Sequence, residues 1–373
     1  MNCKIIKNQI LLQSVAKIFC IFVLCFKIHS MPRNNEITIY DIARKLNLSP
    51  TTVSRALNGN PLVNKKTVSK VVATAQKMGY QRNVFASNLR TNATRTIGVV
   101  IPNINSHFQS AIIAGIEQVI NHNGYHVVIA QSSENAKKEQ EIIWNMFNLR
   151  VDGLLISLSV QGKPRGNLDL FRERNTPLVF FDRPTDLESG SAVIIDNYSA
   201  GYKLAQHLIE NGCKSFIHLC GNQQSLLYQE RNKGVHAALT ANKEVKENPC
   251  MEINEEMNLA GIIDDLVGSR NPVDGIICKN DEVAMRVIYH LRKKQIPVPT
   301  QVAVTGFNDD PVAAYFYPEI TTISNPAFDI GNQAATKLIN MINHPNHKIQ
   351  SEKIVLRPNL IVRTSSLLGK TDL

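Results

Sequence analysis

The chain has 373 residues, 43% of them hydrophobic and 19% charged, with a formal net charge of +10. That length accommodates about two to three domains with a substantial apolar core, and the ordinary composition points to a soluble globular protein. The seven cysteines, Cys3, Cys20, Cys25, Cys213, Cys220, Cys250 and Cys278, show no C-x-x-C pair and no histidines at zinc-finger spacing. They argue against a disulfide framework or a metal and read as reduced thiols.

Charge is unevenly distributed. Residues 1–30 carry 4 basic and 0 acidic side chains, residues 31–95 carry 11 and 2, and residues 96–373 carry 26 and 29. A short cationic segment joined to a mildly acidic body implies a polyanionic partner gripped by one end only.

At the start, Ile18 to Phe26 (IFCIFVLCF) is an apolar run bracketed by Lys17 and Lys27. It resembles the core of a signal peptide, is too short to span a bilayer, and has no clean small-x-small cleavage site after it. Residues 1–30 are therefore expected to be a non-structural extension or a mis-assigned start, with Met31 as the working N-terminus.

From Thr38 the periodicity is helical: Ile39, Ile42, Ala43 and Leu46 recur at one-face spacing, and Thr38 with Asp41 forms a capping-box-like start. Ser49-Pro50 predicts the cap and first residue of a second helix running to about Leu57, with Val53, Ala56 and Leu57 inward. A third helix is expected from Lys65 to Met78, burying Val68, Val71, Val72 and Ala75 and stopped by Gly79. Three short helices with a tight second turn predict an all-α helix-turn-helix unit over 31–82.

Beyond Thr96 the rhythm changes to apolar runs separated by helical stretches: 97–102, 126–131, 153–158, 177–181, 192–196, 216–220, 275–279 and 302–307. Such alternation implies parallel sheets covered on both faces. Because it restarts after about Asn197, residues 96–373 are expected to form an α/β domain of two doubly wound, Rossmann-like subdomains with a cleft between them. There is no G-x-G-x-x-G turn after a first strand, no P-loop and no G-x-S-x-G elbow, so neither a nucleotide cofactor nor enzymatic activity is expected.

In SPTTVSRALNG, the residues at the start of the second helix suit a major groove: Pro50, Thr51 and Arg55 for base edges, Thr52, Ser54 and Asn58 for phosphates. The longer stretch ITIYDIARKLNLSPTTVSRALNG, followed by KTVSKVVATAQKMGY, resembles the headpiece of the lactose-repressor/galactose-repressor family. The resemblance extends over nearly all of 37–367. It implies a hinge helix in VFASNLRTN (84–92), within a linker spanning 83–95, that enters the minor groove with Leu89 as the wedge and Arg90 beside it. Arg82 stands where the family usually has proline.

The resemblance also implies that the larger region is a sugar sensor of the periplasmic-binding-protein type. The matching segments supply Asn105 and Phe108, Asp182 and Arg183, Arg231, Asn280, and Asn308 as effector contacts. Two departures concern the effector: His107 replaces a common phenylalanine, and Asn308 replaces a common carboxylate. The implied protein is a cytoplasmic, homodimeric DNA-binding regulator, expected to be a repressor. Its operator affinity follows a small carbohydrate-type effector, with no metal, no cofactor and no membrane partner. The rival is a secreted sugar-binding protein, in which the headpiece would have no purpose.

Overall fold

The computed structural model describes residues 37–80, 93–159, 165–184, 190–242, 244–247, 250–254, 257–270, 272–345 and 351–367. These fall in two compact units, one of residues 37–80 and one of residues 93–367. The expectations for residues 1–30 and for the hinge segment with Leu89 and Arg90 lie outside the described residues.

The first unit is three helices, each with a local signal at its start. In α1 (Ile39–Leu46), the Asp41 carboxylate accepts both the Thr38 backbone N–H (2.9 Å) and the Thr38 hydroxyl (2.6 Å). Helix α2 (Pro50–Leu57) begins with proline, and Ser49 Oγ accepts the Thr52 N–H at 3.1 Å. Helix α3 (Lys65–Met78) is capped by Asn64 and ends at Gly79, whose φ of 70° is the left-handed geometry that glycine adopts without a Cβ clash. Ile42, Ala43, Val53, Ala56, Val71 and Ala75 form its buried centre, flanked by Leu46, Leu57 and Val68. Val72 is 37% exposed, contrary to expectation. Adjacent helical residues diverge by about 100°, so Val71 and Val72 cannot both point inward.

In the second unit the chain runs β1 (Thr96–Ile101), α4 (His107–His122), β2 (His126–Gln131), α5 (Ala136–Asn148), β3 (Gly153–Ile156), α6 (Arg165–Glu173), β4 (Leu178–Phe181) and β5 (Ser191–Ile195). It continues through α7 (Asn197–Glu210), β6 (Ser215–Cys220), α8 (Leu226–Ala241), β7 (Lys246–Glu247), β8 (Met251–Glu252), α9 (Leu259–Gly268), β9 (Gly275–Cys278), α10 (Asp281–Lys293) and β10 (Ala303–Thr305). The last elements are β11 (Thr322–Ser324), α11 (Ala327–Asn343), β12 (Lys353–Leu356) and β13 (Asn359–Ile361).

Two parallel sheets result. The first has the order β12-β5-β4-β3-β1-β2; in the second, β10-β9-β6 is extended by β7 and β8, both paired to β6. A small antiparallel pair, β11 with β13, flanks the second sheet. The restart after Asn197 is real, but the second half is not self-contained: α11 packs on α4, and β12 pairs with β5 of the first sheet. The chain thus passes between subdomains three times, after Ile195, after Ser324 and after Leu356.

Each subdomain has one helix pair whose backbones touch through glycine. A Cβ added at Gly115 of α4 would sit 2.1 Å from the Phe328 carbonyl, and one at Gly331 of α11 2.0 Å from that of Ile112. In the second subdomain, a Cβ at Gly201 of α7 would meet the Arg231 carbonyl at 2.0 Å, and one at Gly234 of α8 the Tyr198 carbonyl at 2.0 Å.

One expectation is corrected here: Cys220 and Cys250 are disulfide-bonded, with Cα atoms 6.5 Å apart. They lie far apart in sequence, and only the parallel pairing of β6 with β8 brings them together. Cys213 and Cys278 are free and buried.

The glycine contacts predict that Gly201→Ala destabilises the second unit by about 1–3 kcal/mol, since overpacking forces α7 and α8 apart. Gly268, where an added Cβ has nothing within 4 Å, serves as the control. Gly268→Ala should change urea-unfolding stability by less than about 1 kcal/mol.

Candidate functional site

The three-helix unit is strongly cationic. Within residues 37–80, Arg44, Lys45, Arg55, Lys65, Lys66, Lys70 and Lys77 face a single acidic residue, Asp41. Hydrogen bonds from Thr38 hold the Asp41 carboxyl below the usual range. On α2, Thr51 and Arg55 are exposed and one helical turn apart, so they share a face, while Pro50 is half-buried at the helix start. Thr52 turns its hydroxyl to Ser49 Oγ at 2.8 Å, stiffening the turn that aims α2. Ser54 is half-buried and Asn58 exposed.

In the larger unit, the C-terminal ends of the strands carry the polar groups. After β4, the chain turns through Asp182, whose φ is 57°, and Asp182 is buried. Its carboxylate accepts from Gln109 Nε2 at 3.2 Å and lies 3.8 Å from Arg183 Nε. Arg183 in turn donates to Glu134 Oε1 at 2.7 Å. Burial opposes the Arg183 charge, but Glu134, Tyr228 and Asp182 outweigh it and raise its pKa. Burial raises the Asp182 pKa, opposed by the charges of Arg183 and Arg231.

Arg231 comes from α8 of the other subdomain and is only 3% exposed. Its guanidinium donates to the Lys279 carbonyl and to Asn197 Oδ1, both at 3.1 Å, and lies over the Phe307 ring 3.2 Å from the centroid. Burial pushes its pKa down to about 10. Tyr228, one turn earlier on α8, adds a second ring 5.3 Å from the guanidinium.

Of the residues predicted from sequence, Asp182, Arg183 and Arg231 are therefore electrostatically coupled across the two subdomains. Asn280 caps α10, its Oδ1 accepting the Val283 N–H at 3.0 Å. Asn308 has a φ of 103°, a strained geometry held by its N–H to the Ile323 carbonyl and by Asn325 Nδ2, which donates to its Oδ1 at 3.0 Å. Asn105 is exposed, its N–H taken by Asn103 Oδ1. Phe108 is 8% exposed and packs in the main hydrophobic core, as does the wholly buried Phe307 beneath the Arg231 guanidinium, so half-buried Tyr228 is the more accessible ring beside the polar groups.

Sequence reasoning missed Gln109, Asn197, Tyr228, Asp310 and Asn325. The available signals were slight: Gln109 and Asn197 lie in the first turns of α4 and α7, and Tyr228 shares a helix face with Arg231. Among the described residues, Gln109 Oε1, Arg183 Nε, Arg231 Nε, Asp310 Oδ1 and Asn325 Oδ1 are buried without a hydrogen-bond partner. Buried donors and acceptors left open from both subdomains suit a polyhydroxylated ligand, which offers both roles at each hydroxyl.

The comparisons with known proteins agree with both halves. The profile of the bacterial regulatory proteins of the lacI family matches residues 38–83, and that of the periplasmic binding protein-like domain matches residues 205–366. The HTH-type transcriptional regulator RegA of Clostridium saccharobutylicum is 31% identical over 336 residues, covering 88% of this chain and 99% of that protein. Among solved structures, the Lac repressor dimer bound to operator and the anti-inducer ONPF shares the fold, with a TM-score of 0.78 at 22% identity over 90% of this chain and all of that one. The transcriptional regulator CelR in complex with cellobiose gives a TM-score of 0.65 at 25% identity, covering 88% of this chain and 99% of that one.

Beneath the site, Asp281 is wholly buried, and its Oδ2 accepts the Asp310 N–H at 2.8 Å. Burial lifts its carboxyl from 3.8 to about 7, opposed by hydrogen bonds from Thr322 and the Asp310 backbone. The folded chain thus keeps a proton that the unfolded chain releases. This contribution to stability is complete below about pH 4 and is lost as the pH rises to about 7. Asp281→Asn should remove it, so calorimetric stability of the wild type relative to the variant should fall by a few kcal/mol, as an order of magnitude, over that window. A difference independent of pH would refute the assignment.

Proposed function

The chain belongs to the lacI family of bacterial regulatory proteins, and from that premise we propose that it is a sequence-specific transcriptional repressor whose grip on operator DNA is set by a small carbohydrate-type effector. The observation that carries this reading is the pairing, in one chain, of a cationic helix face with a desolvated polar set shared by two subdomains.

In this reading Thr51 and Arg55, with Pro50 at the helix start, read bases in the major groove, and Thr52, Ser54 and Asn58 contact phosphates. Leu89 and Arg90 are the proposed minor-groove contacts. Asp182, Arg183, Arg231, Asn280 and Asn308 bind the effector, with Asn105 and Phe108 at the edge of the same site. Tyr228 adds an apolar ring face for the C–H side of a sugar ring. Cellobiose in the CelR complex and the operator-bound dimer of the Lac repressor support a sugar effector and a homodimer with paired half-sites. In this reading, a protein that works on duplex DNA is expected in the bacterial cytoplasm. Among the described residues no helix is long and apolar enough to cross a membrane. A secreted binding protein would have no use for a capped, cationic three-helix unit.

The mechanism is a linkage between two sites. An effector that satisfies open donors and acceptors on both subdomains binds more tightly when they close, so it biases one arrangement. That arrangement favours or disfavours the geometry in which two headpieces engage their half-sites.

A gel-shift assay on the DNA upstream of the gene tests this, with affinity expected to fall steeply as salt rises. Arg55→Ala should cost about 1–3 kcal/mol on the operator and relax base preference at one position of each half-site. Equal losses on operator and random duplex would make Arg55 a phosphate contact instead. Arg231→Ala should leave operator binding in place and abolish the response to sugars, read as a thermal shift across a sugar panel. An unchanged response would remove Arg231 from the effector site.

A further inference from the structure

Cys220 is the last residue of β6, and Cys250 immediately precedes β8. The strands are parallel neighbours, with Leu219 opposite Met251 and Cys220 opposite Glu252, and the Ile253 N–H donates to the Cys220 carbonyl at 2.9 Å. The two sulfurs are held within bonding reach by this ladder, whether or not the bond is made. Cys220 is wholly buried and Cys250 half-buried, so only Cys250 is open to a reagent. Cys213 and Cys278 differ in having no disulfide partner, and burial pushes the Cys213 thiol up to about 12 and raises that of Cys278 as well. Thiols of that kind stay protonated and inert.

The pair closes a covalent loop over residues 221–249, and that loop contains the whole of α8 with Tyr228 and Arg231. Two contacts join the base of the loop to the helix. Gly221, next to Cys220, lies so close to Tyr228 that a Cβ there would be 2.2 Å from the ring, and Tyr228 flanks the Arg231 guanidinium. His218 Nδ1 lies 3.9 Å from Cys250 Sγ and 3.2 Å from Asn232 Oδ1, the residue after Arg231. Disulfides are uncommon in a reducing cytoplasm and, where present, are more often redox-responsive than structural.

We propose that Cys220 and Cys250 are a reversible oxidation site, a substrate for thiol–disulfide exchange with small disulfides of the glutathione class, and that its state sets how firmly α8 holds Arg231. The Cys250 thiolate attacks one sulfur of the small disulfide and expels a thiolate, which takes up the Cys250 proton. Cys220 then attacks Cys250 Sγ in the mixed disulfide and expels the second small thiol, which carries the Cys220 proton. Two protein thiols are oxidised and one small disulfide is reduced to two thiols; excess small thiol reverses both steps. In the oxidised state the loop is closed and α8 is tethered at its base; in the reduced state the β6–β8 ladder alone holds it. The consequence for effector control rests on the function proposed above, whereas the chemistry and the tethering do not.

The test uses the full chain, equilibrated with either oxidised glutathione or dithiothreitol and then alkylated, digested and mapped by mass. The oxidised sample should yield a peptide pair joined through Cys220 and Cys250, and dithiothreitol should abolish it. Hydrogen exchange of the α8 amides, 226–241, should be roughly tenfold or more slower in the oxidised sample, as expected when a long loop is closed in the open state. Cys250→Ser should show neither the joined peptides nor the redox-dependent exchange. Because the main comparison is between two states of the wild type, a poorly folded variant does not weaken it. Absence of the joined peptides overturns the oxidation site, and joined peptides with equal α8 exchange in both states overturn the tethering. Neither result depends on whether the chain binds an operator.

Discussion

A guanidinium taken out of water is the constraint around which the larger unit is organised. Desolvating a cation costs several kcal/mol unless hydrogen bonds and opposite charge replace the lost hydration. Arg231 receives its replacement from separate stretches of chain: the Lys279 carbonyl, Asn197 Oδ1, the Phe307 face and the more distant Asp182 charge. Each comes from the end of a different strand, so the sheets must be in register before the cation is satisfied. The site and the fold therefore depend on one another.

The same logic explains why the helix that carries Arg231 lies so close to its neighbour. Gly201 lets α7 approach until its backbone touches the carbonyl of Arg231, fixing the depth at which α8 sits. Gly115 and Gly331 do the same for α4 and α11 in the other subdomain. The three helices that supply site residues, α4, α7 and α8, are thus set by backbone contact, which tolerates far less displacement than side-chain packing. A rigid frame of this kind turns a small change at the ligand into motion of whole subdomains rather than local yielding.

What was legible in the sequence was local. Thr38 with Asp41, Ser49-Pro50 and Gly79 each act within a few residues, and the three helices of the headpiece begin and end where those signals stand. The long apolar strands were equally plain, because both faces of a parallel sheet are buried. The short strands were not: β12 alternates exposed and half-buried residues at a sheet edge, and β7 and β8 are two residues each. Phe108 shows how little a motif says about side-chain orientation, since its ring turns into the core. Asn308 stands out in the sequence just past an apolar strand, whereas its partner Asn325 does not, because only the bridge to β11 joins them. The pairing of Cys220 with Cys250 depends likewise on strand order, which no local pattern encodes.

The triple passage between subdomains bears on how the molecule is made. During synthesis, the strands β1 to β5 emerge early, yet the helix that covers part of their sheet, α11, and its edge strand, β12, are translated only after every strand of the second sheet. Until then a hydrophobic sheet face and an unpaired strand edge wait uncovered, a condition that favours association with other chains. The ribosome must extrude the whole second sheet before the first-made half can close. A nonsense mutation late in the gene is accordingly expected to disable the earliest part of the sensor as surely as the latest.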